Sequence, residues 1–236
     1  MANLYLHYVL DQWVNTWRKN AARGDVIVVR YADDAVLGFE YREEAERFLA
    51  GLREQLLTFG LELHPEKTRL IEFGRYAAAR RAKRGEGKPE TFNFLGFTHI
   101  CGKNHKTGYF EVIRKTIGKR MAAKLKDIGQ KLRQRRHDPT DTIVKWLIAV
   151  VRGYFQYHAV PRNEQRMKAF RHQVLRLWLR QLRRRSQRSL WTWAKFLARL
   201  GTLLPVVEVR HPYPAVRFAR DHPKFWAHIQ GRNRVR

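Results

Sequence analysis

Cysteine is nearly absent: the 236-residue chain holds a single one, Cys101. That excludes an intramolecular disulfide and fits a reducing compartment. Long apolar runs are missing as well. The longest, near 146–151, falls far short of a bilayer span. Residues 1–17 are amphipathic and carry His7 and Asp11, so they do not read as a signal peptide. These absences predict a soluble, cytoplasmic protein with no membrane partner. Negative charge is scarce beside positive: 21 Asp and Glu face 48 Lys and Arg, a net +27. A surface so positive binds polyanions, and aromatic residues interleaved with the basic ones make nucleic acid the first candidate. What is present in quantity is apolar residues, at 44%, enough for a core and too many for wholesale disorder.

The charge is divided unevenly. Residues 1–72 hold nine basic and twelve acidic side chains, whereas residues 73–236 hold 39 and nine. A break this sharp predicts two functional parts, a nearly neutral front and a strongly cationic back. In the front, Leu6, Val9, Leu10, Trp13, Val14 and Trp17 recur at helical spacing. Val26–Tyr31 and 35–39 are short apolar runs separated only by Ala32, Asp33 and Asp34, which predicts a hairpin with the acidic pair at its tip. Ala45, Phe48, Leu49, Leu52 and Leu56 mark a further helix, stopped by Gly60. Residues 70–73 read as a strand and 80–89 as an exposed basic loop, with strands 91–100 and 109–113 pairing through 102–108. Amphipathic helices follow over 117–136, 140–158, 164–184 and 189–200, before a thin, partly ordered tail rich in Pro, His and Arg.

Adjacent aspartates after a β-run are a poor structural choice, because Asp is depleted in strands and neighbouring like charges repel. A divalent cation offsets that cost: Mg²⁺ takes one or two carboxylates, with substrate phosphates completing its oxygen ligands. On the dipeptide alone an exposed Asp-Asp turn is the better reading. In the basic part, Arg176, Arg180, Arg183, Arg184 and Arg185 share a helix whose other side carries Val174, Leu175, Trp178 and Leu182. With little acid to pair them, these arginines predict phosphate contacts and salt-sensitive binding, to folded RNA read through shape, phosphate and 2′-hydroxyl. Tyr154, Phe155 and Tyr157 are expected to pack in a helical core rather than stack on bases.

Context changes the reading of the acidic pair. Tyr31-Ala32-Asp33-Asp34 resembles the YADD motif of reverse transcriptases, and residues 2–13 resemble the helix after the PQG element of group II intron enzymes. Residues 60–69 (GLELHPEKTR), Phe94-Leu95-Gly96-Phe97 and Arg152-Gly153-Tyr154-Phe155-Gln156-Tyr157 resemble later segments of the same enzymes, in the same order. Over nearly its whole length the chain is thus similar to a group II intron-encoded reverse transcriptase/maturase. The resemblance implies an α+β fold, with a partial palm of antiparallel sheet and helices over 1–114. An all-helical thumb/maturase domain over 115–204 and a basic tail over 205–236 would follow. The implied activity is RNA-directed DNA polymerase (a nucleotidyltransferase) with assistance to intron splicing. Asp33 is implied as the metal ligand and Asp34 as its supporting carboxylate. Lys67 is implied near the incoming nucleotide's phosphates, placed to protonate the leaving group; the competing reading is a surface lysine after a loop proline. Phe94, Leu95, Gly96 and Phe97 are implied as the primer grip, and Arg152 joins the arginines above as RNA-binding. Mg²⁺, with Mn²⁺ as its substitute, is the implied cofactor. Group II intron RNA, an RNA template with DNA primer, dNTP and a DNA target are the implied partners.

The family pattern is incomplete here. Another metal-binding aspartate on an earlier strand, the fingers and the PQG turn have no counterpart; Asp11 lies in a helical stretch and Asp25 precedes the hairpin strand. The expectation is a chain truncated inside the palm and inactive alone. A separate polypeptide supplying the missing half, a non-catalytic RNA-binding module and a decayed gene fragment are its alternatives. Near the other end, His211, His222 and His228 lack the cysteine partners of a zinc-containing endonuclease domain, so no metal site is inferred there.

Overall fold

The computed structural model describes residues 2–105, 108–186 and 188–212, and the chain divides into two compact units, Met1–Phe73 and Gly74–Arg236. The division falls one residue past the charge break. The fold is α+β, with antiparallel sheets and a helical region after them.

In the first unit, helix α1 (Ala2–Leu6) passes through a π-helical turn (His7–Asp11) into α2 (Gln12–Asn20). The apolar stripe of this stretch buries Val9 and Val14 against Phe48, Leu52 and Leu56 of α3 (Arg42–Thr58). Phe48 is the hub: the rings of Trp13, Trp17 and Phe39 lie 5.1, 5.0 and 5.0 Å from it. Burying a side chain of that size contributes about 2–3 kcal/mol. Helix α3 ends in a Schellman turn, with the Gly60 N–H on the Leu57 carbonyl and the Leu61 N–H on that of Leu56. Gly60 can take the required φ of 68° without a Cβ clash.

Strands β1 (Val26–Tyr31) and β2 (Asp34–Phe39) pair antiparallel as a two-stranded ribbon. Period-2 alternation gives the ribbon two faces. Val26 is buried, and Leu37 and Phe39 pack on the helical core, whereas Ile27, Val29 and Tyr31 are 65%, 46% and 65% exposed. The chain entering β1 is pinned by Glu44, which is sequestered from solvent and accepts the Arg23 N–H at 2.8 Å and the Gly24 N–H at 3.4 Å. Residues 70–73 are not a strand. No strand among the described residues offers them a ladder, and an extended run without one leaves its backbone groups unmatched.

The second unit begins with α4 (Ala77–Lys83), so the expected loop over 80–89 starts as helix. Its Ala, Arg and Lys residues are strong helix formers, and Gly85 at φ 70° stops it. The expected strand 91–100 is two strands: the chain folds back at Leu95 and Gly96, both at positive φ (47° and 79°). Strands β3 (Phe92–Phe94), β4 (Phe97–Lys103) and β5 (Phe110–Thr116) form one sheet in that order. Four helices follow: α5 (Gly118–Gln134), α6 (Thr140–His158), α7 (Glu164–Arg183) and α8 (Trp193–Arg199). Residues at four-residue spacing make their core, among them Ile128 and Leu132, Leu147, Val151 and Phe155, and Phe170, Val174 and Trp178. Helix α8 starts later than the sequence predicts, where the Thr192 hydroxyl caps it by accepting the Lys195 N–H.

Two polar pins complete this unit. Buried Asn163 donates to the Thr116 hydroxyl and the His158 carbonyl, both at 2.8 Å, and accepts the Thr116 N–H at 3.0 Å. Arg171 donates to the carbonyls of Gly201, Leu204 and Pro205. The tail predicted over 205–236 lies outside the described residues beyond Pro212, and so do His222 and His228. Among the described residues no helix is long and apolar enough to cross a membrane.

Candidate functional site

The ladder of the first unit runs from Val26↔Phe39 to Tyr31↔Asp34, leaving Ala32 and Asp33 as a two-residue loop. Ala32 sits at φ 52° and Asp33 does not share the left-handed region. That sign pattern is the one of a type II′ turn, whose twist matches the flanking strands but whose first position favours glycine. An alanine there stores about 1–2 kcal/mol of backbone strain. Tyr31, Ala32, Asp33 and Asp34 are all exposed. The guanidinium of Arg30 lies behind this tip. Its Nε and Nη2 donate to the two carboxylate oxygens of Asp11 at 2.7 and 2.6 Å, and its Nη1 donates to the Ala32 carbonyl at 3.0 Å. Hydrogen bonds from Arg30 hold the Asp11 carboxyl below the usual range, and the same contact raises the Arg30 guanidinium.

Among the described residues no three His, Cys, Asp or Glu side chains gather as a metal site. Asp33 and Asp34 are therefore the carboxylates offered at this tip. One or two carboxylates, completed by water and substrate phosphate, are the usual protein share for Mg²⁺, so the pair fits one such ion. Lys67 is exposed in a turn whose backbone N–H donates to the His64 carbonyl. Among the described residues no hydrogen bond or ion pair joins its side chain to the acidic tip.

In the second unit, Phe94, Leu95, Gly96 and Phe97 form a tight turn with both loop residues at positive φ, the pattern of a type I′ hairpin. Helix α6 fixes it: the Tyr157 hydroxyl donates to the Leu95 carbonyl at 2.7 Å and its ring stacks on Phe97 at 5.6 Å. Gly96 meets the φ of 79° that this turn requires, and a Cβ there would approach the Arg120 guanidinium to 3.3 Å, a contact that side chain could yield by a small shift. Beside it lies a cavity of about 340 Å³, lined by Phe94, Phe97, His99, Arg114, Gln156 and Tyr157 among others.

Sequence reasoning missed two of those residues. Arg114 is half-buried and has no carboxylate or hydrogen-bond partner among the described residues, and burial lowers its pKa. His99 has a buried Nδ1 without a partner among the described residues, and burial likewise pushes its pKa down. Neither carries a sequence signal; each is defined by what packs around it.

Residues 1–99 match the family model of the reverse transcriptase (RNA-dependent DNA polymerase). No curated protein matches the chain. The reverse-transcriptase match takes in the Asp33–Asp34 hairpin, Lys67 and the turn at Leu95 and Gly96. The basic residues named from the sequence lie beyond it, and they are not equivalent. Arg152, Arg176, Arg180 and Arg184 are exposed, with no carboxylate beside them among the described residues. Arg183 is committed to the Trp191 carbonyl at 2.8 Å. Arg185 is committed to the Asp138 carbonyl at 2.7 Å, just before α6. Phe155 is fully buried, and Tyr154 stacks on Phe170, both in the helical core as the sequence predicts, whereas Tyr157, expected there too, is 52% exposed and stacks on Phe97.

Proposed function

We propose that this chain is part of an RNA-directed DNA polymerase of the group II intron type. Asp33 and Asp34 are its metal-binding carboxylates, and its basic helical part holds nucleic acid, intron RNA included, as a splicing maturase does. The observation that carries the reading is an acidic pair at a strained, exposed hairpin tip inside the reverse-transcriptase match. Strain at a solvent-exposed turn is kept where the turn has a task. Mg²⁺, or Mn²⁺ in its place, would be held by Asp33 with Asp34 in support. Bound there, it supplies activation of the primer hydroxyl and stabilisation of the departing pyrophosphate. The chain's own residues bind and orient. Lys67 meets the incoming nucleotide's phosphates, and the Phe94–Phe97 turn holds the primer end against Tyr157. Arg152, Arg176, Arg180 and Arg184 meet RNA phosphates. Arg114 adds a half-buried cation, unpaired among the described residues, beside the turn and suited to a strand phosphate.

Mn²⁺ titration of the chain, followed by loss of the free-ion electron paramagnetic resonance signal, tests the metal role. Saturable binding that weakens about tenfold or more in Asp33→Asn is expected. Binding unchanged by that substitution removes the polymerase reading. It leaves the second one, a non-catalytic RNA-binding module, which the arginines that are exposed and unpaired among the described residues favour.

A further inference from the structure

We infer that Asp11 and Arg30 form a positioning clamp that fixes the backbone of the acidic hairpin tip and so presents Asp33 and Asp34 in one geometry. The inference rests on the metal-binding reading of those two carboxylates.

Two arms of the Arg30 guanidinium form a fork on Asp11, at 2.7 and 2.6 Å, and the third reaches the carbonyl of Ala32 at 3.0 Å. Ala32 is the loop residue at φ 52°, the point where the turn would relax if nothing held it. A carbonyl bonded to a fixed cation cannot rotate away, so the strained peptide leading into Asp33 stays in place. The anchor is itself held. Asp11 closes the π-helical turn, and turns of that kind are concentrated at functional positions. The pair is part-buried, with side chains 16% and 26% exposed, so it is screened less than a fully exposed pair would be.

Fork geometry also needs arginine in particular. A lysine would keep the charge but could not grip both Asp11 oxygens and the carbonyl from one planar group. Both oxygens of Asp11 are in use, and Oδ2 also lies 3.3 Å from the His7 Nδ1. Asp11 therefore serves as anchor and not as a spare metal ligand. Asp33 is close enough to Arg30 for a favourable charge interaction, so the guanidinium also lessens the cost of negative charge at this tip.

The test uses Mn²⁺ alone as probe and the whole chain, with Asp33→Asn as reference. Arg30→Lys and Asp11→Asn are expected to weaken Mn²⁺ binding about tenfold, the usual effect of removing a group that orients a metal ligand. The charge-reversed pair Asp11→Arg with Arg30→Asp is expected not to restore affinity, because position 30 then lacks a donor for the Ala32 carbonyl. Full restoration by the reversed pair would show a plain ion pair and overturn the clamp. If Asp33→Asn weakens binding and Arg30→Lys does not, the clamp is wrong and the metal reading stands. If Asp33→Asn changes nothing, both fall together. A measurement on the unaltered chain guards against variants that misfold: amide order parameters at Ala32 and Asp33 near about 0.85 are expected. Values below about 0.6 would show an unheld tip and overturn the inference.

Discussion

His158 ends α6 surrounded by the rings of Tyr154, Tyr157 and Phe97, and burial pushes its pKa down to about 4. The folded unit thus prefers the neutral imidazole. Above the ordinary histidine value near 6.5 neither state carries the proton, and the stability is fully present. As pH falls from there toward about 4, the unfolded chain takes up a proton that the folded chain refuses, so stability is lost. The ring is partly solvated, which reduces the expected loss to about 1–2 kcal/mol. Thermal unfolding between pH 7 and 5 should show that slope, and His158→Gln should flatten it. A slope identical in both proteins would assign it to other groups. At the same scale, Glu44 loses its two backbone donors' support on protonation. Those hydrogen bonds, the Arg23 N–H foremost, depress its pKa. Its stabilisation is present above the ordinary glutamate value of 4.5 and lost as pH falls through the lower folded value. Glu44→Gln should therefore remove part of the acid sensitivity of the first unit, as followed by tryptophan fluorescence. The hairpin that carries Asp33 and Asp34 at its tip was legible in the sequence, because two short β-runs separated by three residues leave room only for a tight turn. Glu44 was not, since nothing in the chain separates it from Glu43 or Glu46 until packing buries one of the three.

Helix α7 and the turn that follows it carry two kinds of arginine, and they should fail differently. Arg176, Arg180 and Arg184 are exposed and unpaired among the described residues, so replacing all three by Gln should leave the unfolding temperature nearly unchanged. It should also weaken binding to structured RNA and lower the salt slope of the binding constant by about 2–3, close to one for each phosphate contact removed. Arg185→Gln should do the reverse, costing about 1–2 kcal/mol of stability through the lost bond to the Asp138 carbonyl. Filter binding across a salt series, paired with thermal melts, separates the two outcomes. Equal effects of both changes on RNA binding would show that exposure does not sort these side chains. The sequence located all these arginines but could not tell a solvated one from one folded back on a carbonyl. Elements were legible where their signal is local. The helix Thr140–His158 has the predicted bounds, with Pro139 before it and a long apolar stripe within it. The turn at Leu95 was not legible, because a leucine at positive φ breaks the rule that would have announced it. Residues 70–73 failed for a different reason: a strand is defined by its neighbour, and pattern alone does not supply one.

At the scale of the whole molecule, the chain by itself is expected not to extend a DNA primer on an RNA template. On the proposed function, the Asp33–Asp34 pair fits one ion whereas primer extension uses two, so further ligands would have to complete the site. Detectable Mg²⁺-dependent extension that disappears in Asp33→Ala would overturn this expectation. The ribbon β1–β2 has a further consequence in colloidal terms. Both outer edges are unpaired among the described residues, and one face exposes Ile27, Val29 and Tyr31, a surface that invites edge-to-edge addition. Residues 1–72 carry a net charge of only −3, so the repulsion that opposes ribbon pairing comes chiefly from the whole chain at +27. That repulsion reaches about 10 Å in 0.1 M salt and about 3 Å in 1 M. Salt should therefore act in two opposite directions on one molecule, releasing RNA while driving self-association. Sedimentation should find a dispersed chain at low ionic strength and concentration-dependent oligomers at high, suppressed by Ile27→Lys.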